Sequence, residues 1–286
     1  MRAFRVAYDG RPFYGFQRQP DVPTVEGTLF DALRALGVLG GDDPKPRGYA
    51  AAGRTDAGVS AVAQTVAFAC PDWLTPRAFN AELPGSVRAW AAADAPGDFH
   101  ATVDAARRTY RYHLHAPDAS LERARAAATR LSGEHDFHNL TTDVDGTVRR
   151  VDCAVARNGE FLVLRVAGDG FPRHFVRRLA AVVHGVASGE SGLDRVDRVL
   201  SGERLADEAG VPTAPPEPLV LVGVDYPDLS FEPDPVAVET VRAVFDDRRR
   251  DGLVRARVAG EVLEGVGSDG GDADGGDVWG SGSDGV

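Results

Sequence analysis

Residues 53–59, with the sequence GRTDAGV, carry the side chains best suited to chemistry in this chain of 286 residues. Asp56 stands two residues after Arg54 and directly after Thr55, between two glycines of the same stretch. On an extended backbone Arg54 and Asp56 point the same way, so a carboxylate and a cation face one space. Glycines allow a bulky substrate to approach the backbone closely. The stretch therefore predicts a catalytic aspartate, with an aspartate that only stabilises a turn as the alternative.

A second cluster, residues 107–112 (RRTYRY), mixes arginines with aromatic rings. In a strand, Arg108, Tyr110 and Tyr112 would share one face of the sheet. Aromatic rings interleaved with arginines suit stacking on a base while the arginines pair with phosphates. The alternative is a half-exposed strand with one aromatic face in the core.

A third cluster, residues 171–178 (FPRHFVRR), leads into an apolar helix. Arg173 and Arg177 lie four residues apart, on one face near the predicted helix start. Because a cation at that end opposes the helix dipole, Arg177 is easier to explain if it has an anionic partner. A solvated basic face is the alternative.

The elements that must position these residues follow the order β-α-β-β-α-β twice. Two such units predict an α+β fold of two ferredoxin-like subdomains, residues 1–104 and 105–255, whose antiparallel sheets join edge to edge around a central cleft. Residues 265–286, rich in Gly, Asp and Ser, predict a disordered acidic tail. The first half is predicted as strands 1–9, 49–54, 61–69 and 86–93 with helices 24–36 and 75–83. The second half is predicted as strands 108–115, 148–156, 160–166 and 219–225 with helices 121–131, 175–187 and an added helix 235–250.

Composition limits the class of protein. The net charge of −11 argues against a simple basic nucleic-acid binder, and Lys45 is the only lysine, so arginine carries nearly all positive charge. An acidic, lysine-poor balance is typical of proteins from salt-loving cytosols, with a GC-rich genome as the alternative cause. Cys70 and Cys153 are too few and too far apart for a disulfide framework, which predicts a reduced, cytoplasmic setting. No apolar run approaches the ~20 residues of a membrane helix.

Three histidine pairs raise the alternative of a metal-dependent hydrolase. None of the pairs has carboxylates or cysteines at ligand spacing, and the chain contains no HExxH motif. We therefore predict neither a metal nor a cofactor. The pairs are His113 with His115, His135 with His138, and His174 with His184.

Taken in order, these segments resemble the tRNA pseudouridine synthase A (TruA) family from about residue 5 to residue 227. The acidic balance favours a halophilic, archaeon-like source within that family. The chain departs from the usual family pattern at Phe16, Ser60 and Arg178. The matching segments are 8–10 (YDG), 14–19 (YGFQRQ), 24–26 (TVE), 53–59 (GRTDAGV), 98–101 (DFHA), 106–112 (ARRTYRY), 175–177 (FVR) and 214–219 (APPEPL).

The resemblance implies a pseudouridine synthase fold and a metal-free, cofactor-free isomerisation of uridine to pseudouridine at positions 38 to 40 of the tRNA anticodon arm. It implies that Asp56 is the essential carboxylate, which attacks the sugar, attacks uracil or abstracts a sugar proton. It also implies that Arg177 pairs with Asp56. It implies further that Tyr110 is catalytic, stacking on the flipped uracil and assisting proton removal from C5, although spacing alone leaves Tyr112 open. A cytoplasmic homodimer that binds tRNA, with no membrane contact, completes this expectation.

The resemblance further implies that Arg54 fills the space that the flipped base leaves and that Leu219 packs against the base. Arg108 and Arg173 are the remaining predicted substrate-binding residues. The alternative function, from a different class, is a non-catalytic RNA-binding protein on the same fold.

Overall fold

The computed structural model describes residues 1–206 and 210–266, in two units whose bounds are Met1–Val241 and Arg242–Val286. Most of the predicted tail, residues 265–286, thus lies outside the described residues. The first unit is organised around a ten-stranded sheet. The division of the chain into domains 1–104 and 105–255 stays a prediction.

The first half contains the predicted β-α-β-β-α-β order. Across the sheet its strands are arranged β4-β1-β3-β2, the order of a ferredoxin-like unit. Thr24 and Thr75 cap the two helices, because each hydroxyl accepts a hydrogen bond from a backbone N–H in the first turn. The elements are β1 (Arg2–Tyr8), α1 (Val25–Ala35), β2 (Ala50–Ala51), β3 (Ser60–Phe68), α2 (Pro76–Phe79) and β4 (Val87–Asp94).

The second half repeats the arrangement with additions. Its main strands are arranged β9-β5-β8-β7, again the ferredoxin-like order. Strand β6, a 3₁₀ turn and helix α5 were not predicted, because each is too short to show a periodic pattern. The elements are β5 (Arg107–His115), α3 (Leu121–Leu131), β6 (Gly133–Asp136), the 3₁₀ turn His138–Leu140, β7 (Val148–Asn158), β8 (Phe161–Gly168), α4 (Phe175–Ser188), α5 (Asp194–Val199) and β9 (Leu219–Asp225).

Two further elements follow the second half. Strand β10 (Glu232–Pro233) pairs with β4 at the sheet edge, and helix α6 spans Pro235–Gly265. The helix predicted over 235–250 is thus longer than expected. In the added part of the helix, an ion pair at 2.9 Å joins Arg255 to Asp251, four residues earlier, and supports the extra turns. Among the described residues, no helix combines the length and the apolar character needed to cross a membrane.

The two halves join where β9 pairs with β3. This pairing is parallel, with Ser60 opposite Val220, whereas the main pairings within each half are antiparallel. The expected antiparallel sheet is therefore a mixed sheet. Because β1 covers the other edge of β3, both β2 and β9 pair with the same edge, at opposite ends of the strand. The chain between β2 and β3 leaves the sheet at this shared edge.

Candidate active site

The Asp56 loop, residues 52–59, connects β2 to β3 at the junction of the two halves. The backbone N–H of Val59 closes a turn on the Asp56 carbonyl at 3.2 Å. Gly58 adopts a φ of +81°, and a Cβ added there would lie 2.9 Å from Cγ of Pro216. A glycine is therefore required both by the backbone conformation and by the close approach of the second half.

Residues 13–16 hold this loop from the first half. The backbone N–H of Phe16 donates to the Thr55 carbonyl at 3.0 Å, and a hydrogen bond of 2.7 Å joins the hydroxyls of Thr55 and Tyr8. Both hydroxyl-bearing residues are buried. The residue before Asp56 is thus fixed through its carbonyl and its side chain, whereas the Asp56 side chain remains 31% exposed.

Arg177 binds Asp56 from the second half. Its Nη1 donates to Oδ2 of Asp56 at 3.0 Å, and its Nε donates to the Ala214 carbonyl at 2.7 Å. The Arg177 side chain is only 15% exposed, so water screens this ion pair less than it would a surface pair. Asp56 is therefore the anionic partner that the helix-dipole argument called for beside Arg177 in the first turn of α4, and it lies 121 residues away in the sequence.

His174 is a third ionisable group at the same carboxylate. Its Nε2 lies 3.7 Å from Oδ2 of Asp56, and its backbone adopts a left-handed φ of 60° at the start of α4. Such a conformation costs on the order of 1 kcal/mol in a residue other than glycine. The sequence reasoning treated His174 only as a metal candidate with His184. Its position three residues before Arg177 was the signal that could have placed it here.

Tyr110 provides the aromatic surface of the site. It is partly buried, and its ring meets the Phe171 ring edge-on at a centroid distance of 5.4 Å. Burial raises the pKa of Tyr110 to about 12; Arg108 opposes this shift, and the charge of Asp56 adds to it. The phenol is therefore neutral at physiological pH.

Tyr112, the other tyrosine of the RRTYRY cluster, is placed differently. Its ring is buried, and its Oη donates to the Pro215 carbonyl at 2.8 Å. Of the two tyrosines that spacing left open, Tyr110 is the one that lines the pocket around Asp56. Tyr112 instead helps to hold the segment that also receives Arg177.

Residues from both halves line a pocket of about 590 Å³ around Asp56. Arg54, Arg173 and Arg177 line it, and Asp56 is the only acidic residue among the described residues of its wall. The pocket is therefore locally positive, although the chain carries a net charge of −11. The polar and aromatic lining residues are Tyr14, Phe16, Gln17, Gln19, Arg54, Thr55, Asp56, Tyr110, Phe171, Arg173, His174, Phe175 and Arg177.

Comparisons with known proteins agree on one family. A family model described as tRNA pseudouridine synthase matches residues 127–227. The protein named tRNA pseudouridine synthase A in Natronomonas pharaonis is 57% identical over 92% of this chain and 98% of its own. Its namesake in Haloarcula marismortui is 54% identical over 93% of this chain and 100% of its own. A third namesake, in Methanothrix thermoacetophila, is 38% identical over 92% of this chain and 96% of its own.

This chain belongs to the tRNA pseudouridine synthase A family. Pseudouridine synthases are isomerases, and the Natronomonas and Haloarcula relatives come from halophilic archaea. The acidic, arginine-rich composition is consistent with that source. Full coverage of the relatives means that both halves of the pocket fall within the shared sequence.

The pocket of this tRNA pseudouridine synthase A family member is also lined by three more of the predicted substrate-binding residues. Arg54 and Arg173 are exposed there, and Leu219 reaches it from β9 although 95% of the residue is covered. The backbone of Arg173 is fixed, since its N–H donates to Oδ2 of Asp143 at 2.8 Å and its carbonyl accepts from Oγ1 of Thr141 at 3.0 Å. The exposed guanidinium groups of Arg54 and Arg173 are thus available to an anionic substrate.

Arg108 is not brought into the pocket. Its guanidinium is buried and donates to the carbonyls of Ala52, at 3.0 and 2.8 Å, and Thr102, at 2.7 Å, and to that of Asp169. These carbonyls occupy both outer nitrogens, so Arg108 ties the start of the Asp56 loop to the second half. The prediction that Arg108 binds substrate directly is not supported by this geometry. The shared-face argument failed because burial turned that arginine toward backbone acceptors.

Within residues 1–206 and 210–266, no group of three or more His, Cys, Asp and Glu side chains could hold a metal ion. His174 and His184 are paired in the metal alternative. Of these two histidines, His174 is the one that lies beside Asp56, at 3.7 Å. The geometry around Asp56 is that of a carboxylate between a guanidinium and an imidazole, beside an aromatic ring. The cations hold the carboxylate in one position, and the aromatic ring offers a surface for a planar substrate that carries negative charge.

Proposed function

We propose that this chain isomerises uridine to pseudouridine in the anticodon stem-loop of tRNA, at positions 38 to 40, with Asp56 as the essential carboxylate. The observation that carries the proposal is the Asp56–Arg177 ion pair at 3.0 Å inside a pocket lined by three arginines. A cationic pocket attracts RNA phosphates, and a single fixed carboxylate is the one acidic group that its described wall offers to a substrate.

The reaction conserves every atom of the nucleotide. The bond between N1 and C1′ breaks, the uracil turns, and a bond forms between C5 and C1′; C5 loses its proton and N1 gains one. Asp56 attacks the sugar, attacks uracil or abstracts a sugar proton, and these three steps remain alternatives. In each of them Arg177 fixes the carboxylate and balances its charge. The reaction needs no net redox change and no net hydrolysis.

The target base must leave the helical stack before it reaches Asp56. Extraction of a base costs a few kcal/mol. Stacking on an aromatic ring returns about 1–3 kcal/mol per base, and Tyr110 offers the ring next to Asp56. Leu219 packs against the base, and Arg54 occupies the space that the base leaves. Tyr110 stacks on the flipped base, and its hydroxyl assists the removal of the proton from C5.

Further properties of the proposal come from the family resemblance. The enzyme acts as a homodimer in the cytoplasm of a halophile, and its two subunits together bind one tRNA. The net charge of −11 repels RNA at long range, so the pocket arginines supply the attraction at close range. High salt screens the long-range repulsion more than the contacts at close range, which keeps the local contacts decisive.

Asp56→Ala tests the proposal directly. The variant should form no pseudouridine in tRNA transcripts, as mapped by carbodiimide labelling, while its tRNA affinity stays close to wild type. Asp94→Asn is the matched control, because Asp94 pairs with Arg2 at 2.9 Å outside the pocket. Pseudouridine at wild-type level in Asp56→Ala would reject the assignment of the carboxylate.

The alternative, a non-catalytic RNA-binding protein, is separated by a second measurement. Wild-type protein should release tritium from tRNA labelled at C5 of uridine, without added metal. Absence of release at saturating tRNA, over a range of salt concentrations, would favour the binding protein over the isomerase.

A further inference from the structure

Tyr14 is an exposed aromatic residue at the rim of the Asp56 pocket. It is 60% exposed, and it lines the pocket from the first half. Within the described residues, Trp73 and Phe161 are also large aromatic residues with high exposure, at 52% and 40%, but neither lines the pocket. Single exposed apolar residues are common on protein surfaces, so exposure alone assigns no role to Tyr14. A role is indicated by the hydrogen bonds that hold its backbone and by the polar side chains that share its pocket.

The backbone of Tyr14 is rigidly held. Its N–H donates to the Pro23 carbonyl at 2.9 Å, and its carbonyl accepts from Nε2 of Gln19 at 3.0 Å. The next residue, Gly15, has a φ of +101°, and its carbonyl accepts from the N–H of Val25 at 3.2 Å. The turn is thereby fixed to the start of α1, so little backbone entropy is lost when a ligand binds there.

The ring itself has no partner within the part of the chain that the structure describes: no hydrogen bond reaches its hydroxyl and no aromatic ring contacts it. The amides of Gln17 and Gln19 and the guanidinium groups of Arg54 and Arg173 share the same pocket. A free ring face, amide groups and arginines are the three components with which proteins hold an unpaired nucleotide.

We propose that Tyr14 stacks on an unpaired nucleotide adjacent to the target uridine, forming a second base subsite on the first half of the molecule. The inference rests on the proposed function. Tyr110 is half-buried beside Asp56 and receives the target base, whereas Tyr14 lines the same pocket with 60% of its surface exposed. The subsite holds the neighbouring nucleotide by stacking on its ring face, so it tolerates any base there.

The test measures the dissociation constant of an anticodon stem-loop RNA in the catalytically silent Asp56→Ala background. Tyr14→Ala should raise the dissociation constant about tenfold, the lower-middle part of the range for base–aromatic stacking. Tyr14→Phe should leave it within about twofold, because stacking needs the ring and not the hydroxyl. Trp73→Ala is the matched control, an exposed aromatic residue outside the pocket, and it should change nothing.

Abasic substitution of each nucleotide flanking the target uridine identifies the partner. At one flanking position the abasic RNA should bind wild-type Tyr14 about tenfold more weakly, and should lose nothing more when Tyr14→Ala is added. Unchanged affinity in Tyr14→Ala, or additive losses at both flanking positions, would overturn the subsite. Pseudouridine formation is measured separately, with wild-type protein that keeps both Asp56 and Tyr14. Failure of the subsite is therefore distinguishable from failure of the proposed function.

Discussion

Replacement of Arg177 by methionine should disable the site while leaving the fold intact. Methionine keeps an unbranched stem that fills similar space, but it has no donor. The change removes the hydrogen bond to Oδ2 of Asp56 at 3.0 Å and the one to the Ala214 carbonyl at 2.7 Å. Asp56 would then be free to rotate, and residues 213–216 would lose one of their attachments.

The expected size of the loss follows from these two contacts. A hydrogen bond to a charged group contributes about 1.5–3 kcal/mol, and one to a neutral carbonyl about 1 kcal/mol. Since the Asp56 side chain is 31% exposed, water replaces part of the first contact, which favours the lower end of its range. A total of about 2.5 kcal/mol corresponds to a fall of roughly 70-fold in the rate of the chemical step. Arg177→Lys, whose ammonium reaches only one of the two acceptors, should lose about tenfold.

Single-turnover pseudouridine formation with enzyme in excess is the assay, because it separates the chemical step from tRNA release. Arg178→Met is the matched control: Arg178 is the next residue of α4, and its Nε donates to Oγ1 of Thr213 at 3.2 Å rather than to Asp56. A rate for Arg177→Met within threefold of wild type would refute the reasoning. An equal loss in Arg178→Met would show that the attachment of residues 213–216, and not the ion pair, controls the rate.

Two stability predictions follow from the same region. Gly58→Ala should destabilise the fold by about 2–4 kcal/mol, because the left-handed backbone is strained and the added Cβ overlaps Pro216. Gly37→Ala is the control: Gly37 has a φ of +68° and no atom within 4 Å of an added Cβ, so the loss should be about 1 kcal/mol. Equal shifts in thermal melting temperature would contradict the packing contribution. Burial raises the pKa of Tyr112 to about 12 from 10.0. The unfolded phenol therefore ionises first as pH rises, and stability is present below pH 10 and lost from about pH 10 to 12. Urea unfolding should show a shallower alkaline loss of stability in Tyr112→Phe between about pH 10 and 12, and an unchanged slope would contradict this.

Local patterns were sufficient for most elements of the fold. The alanine-rich helix α3 and the apolar strand β9 have the predicted bounds, and Ser120 caps α3 through its hydroxyl. The predicted strand over 49–54 is reduced to Ala50–Ala51, because the next residues leave the sheet to form the Asp56 loop. Strand β6 and helix α5 were missed, since elements of four and six residues carry no reliable period.

The candidate site divides in the same way. The stretch around Asp56 was evident from residue types alone, and the position of Arg177 at a helix start already called for an anion. The family resemblance implies that its partner is Asp56, and the two side chains form a hydrogen bond of 3.0 Å in the structure. The contact of His174 with the same oxygen, and the use of all of Arg108 on backbone carbonyls, were missed. No pattern in the sequence distinguishes a histidine that contacts Asp56 from one that does not, or an arginine that binds backbone carbonyls from one that binds substrate.

The sequence by itself determined which side chains are present, how strands and helices alternate, and that a flexible-backbone loop carries a carboxylate. Tertiary structure decided which of those side chains meet. The parallel pairing of β3 with β9 sets the two halves side by side, and this long-range contact brings Asp56 to Arg177 and His174 across more than a hundred residues. Periodicity and capping describe only neighbours along the chain, whereas the direction of a buried arginine depends on which carbonyls the assembled halves leave unpaired.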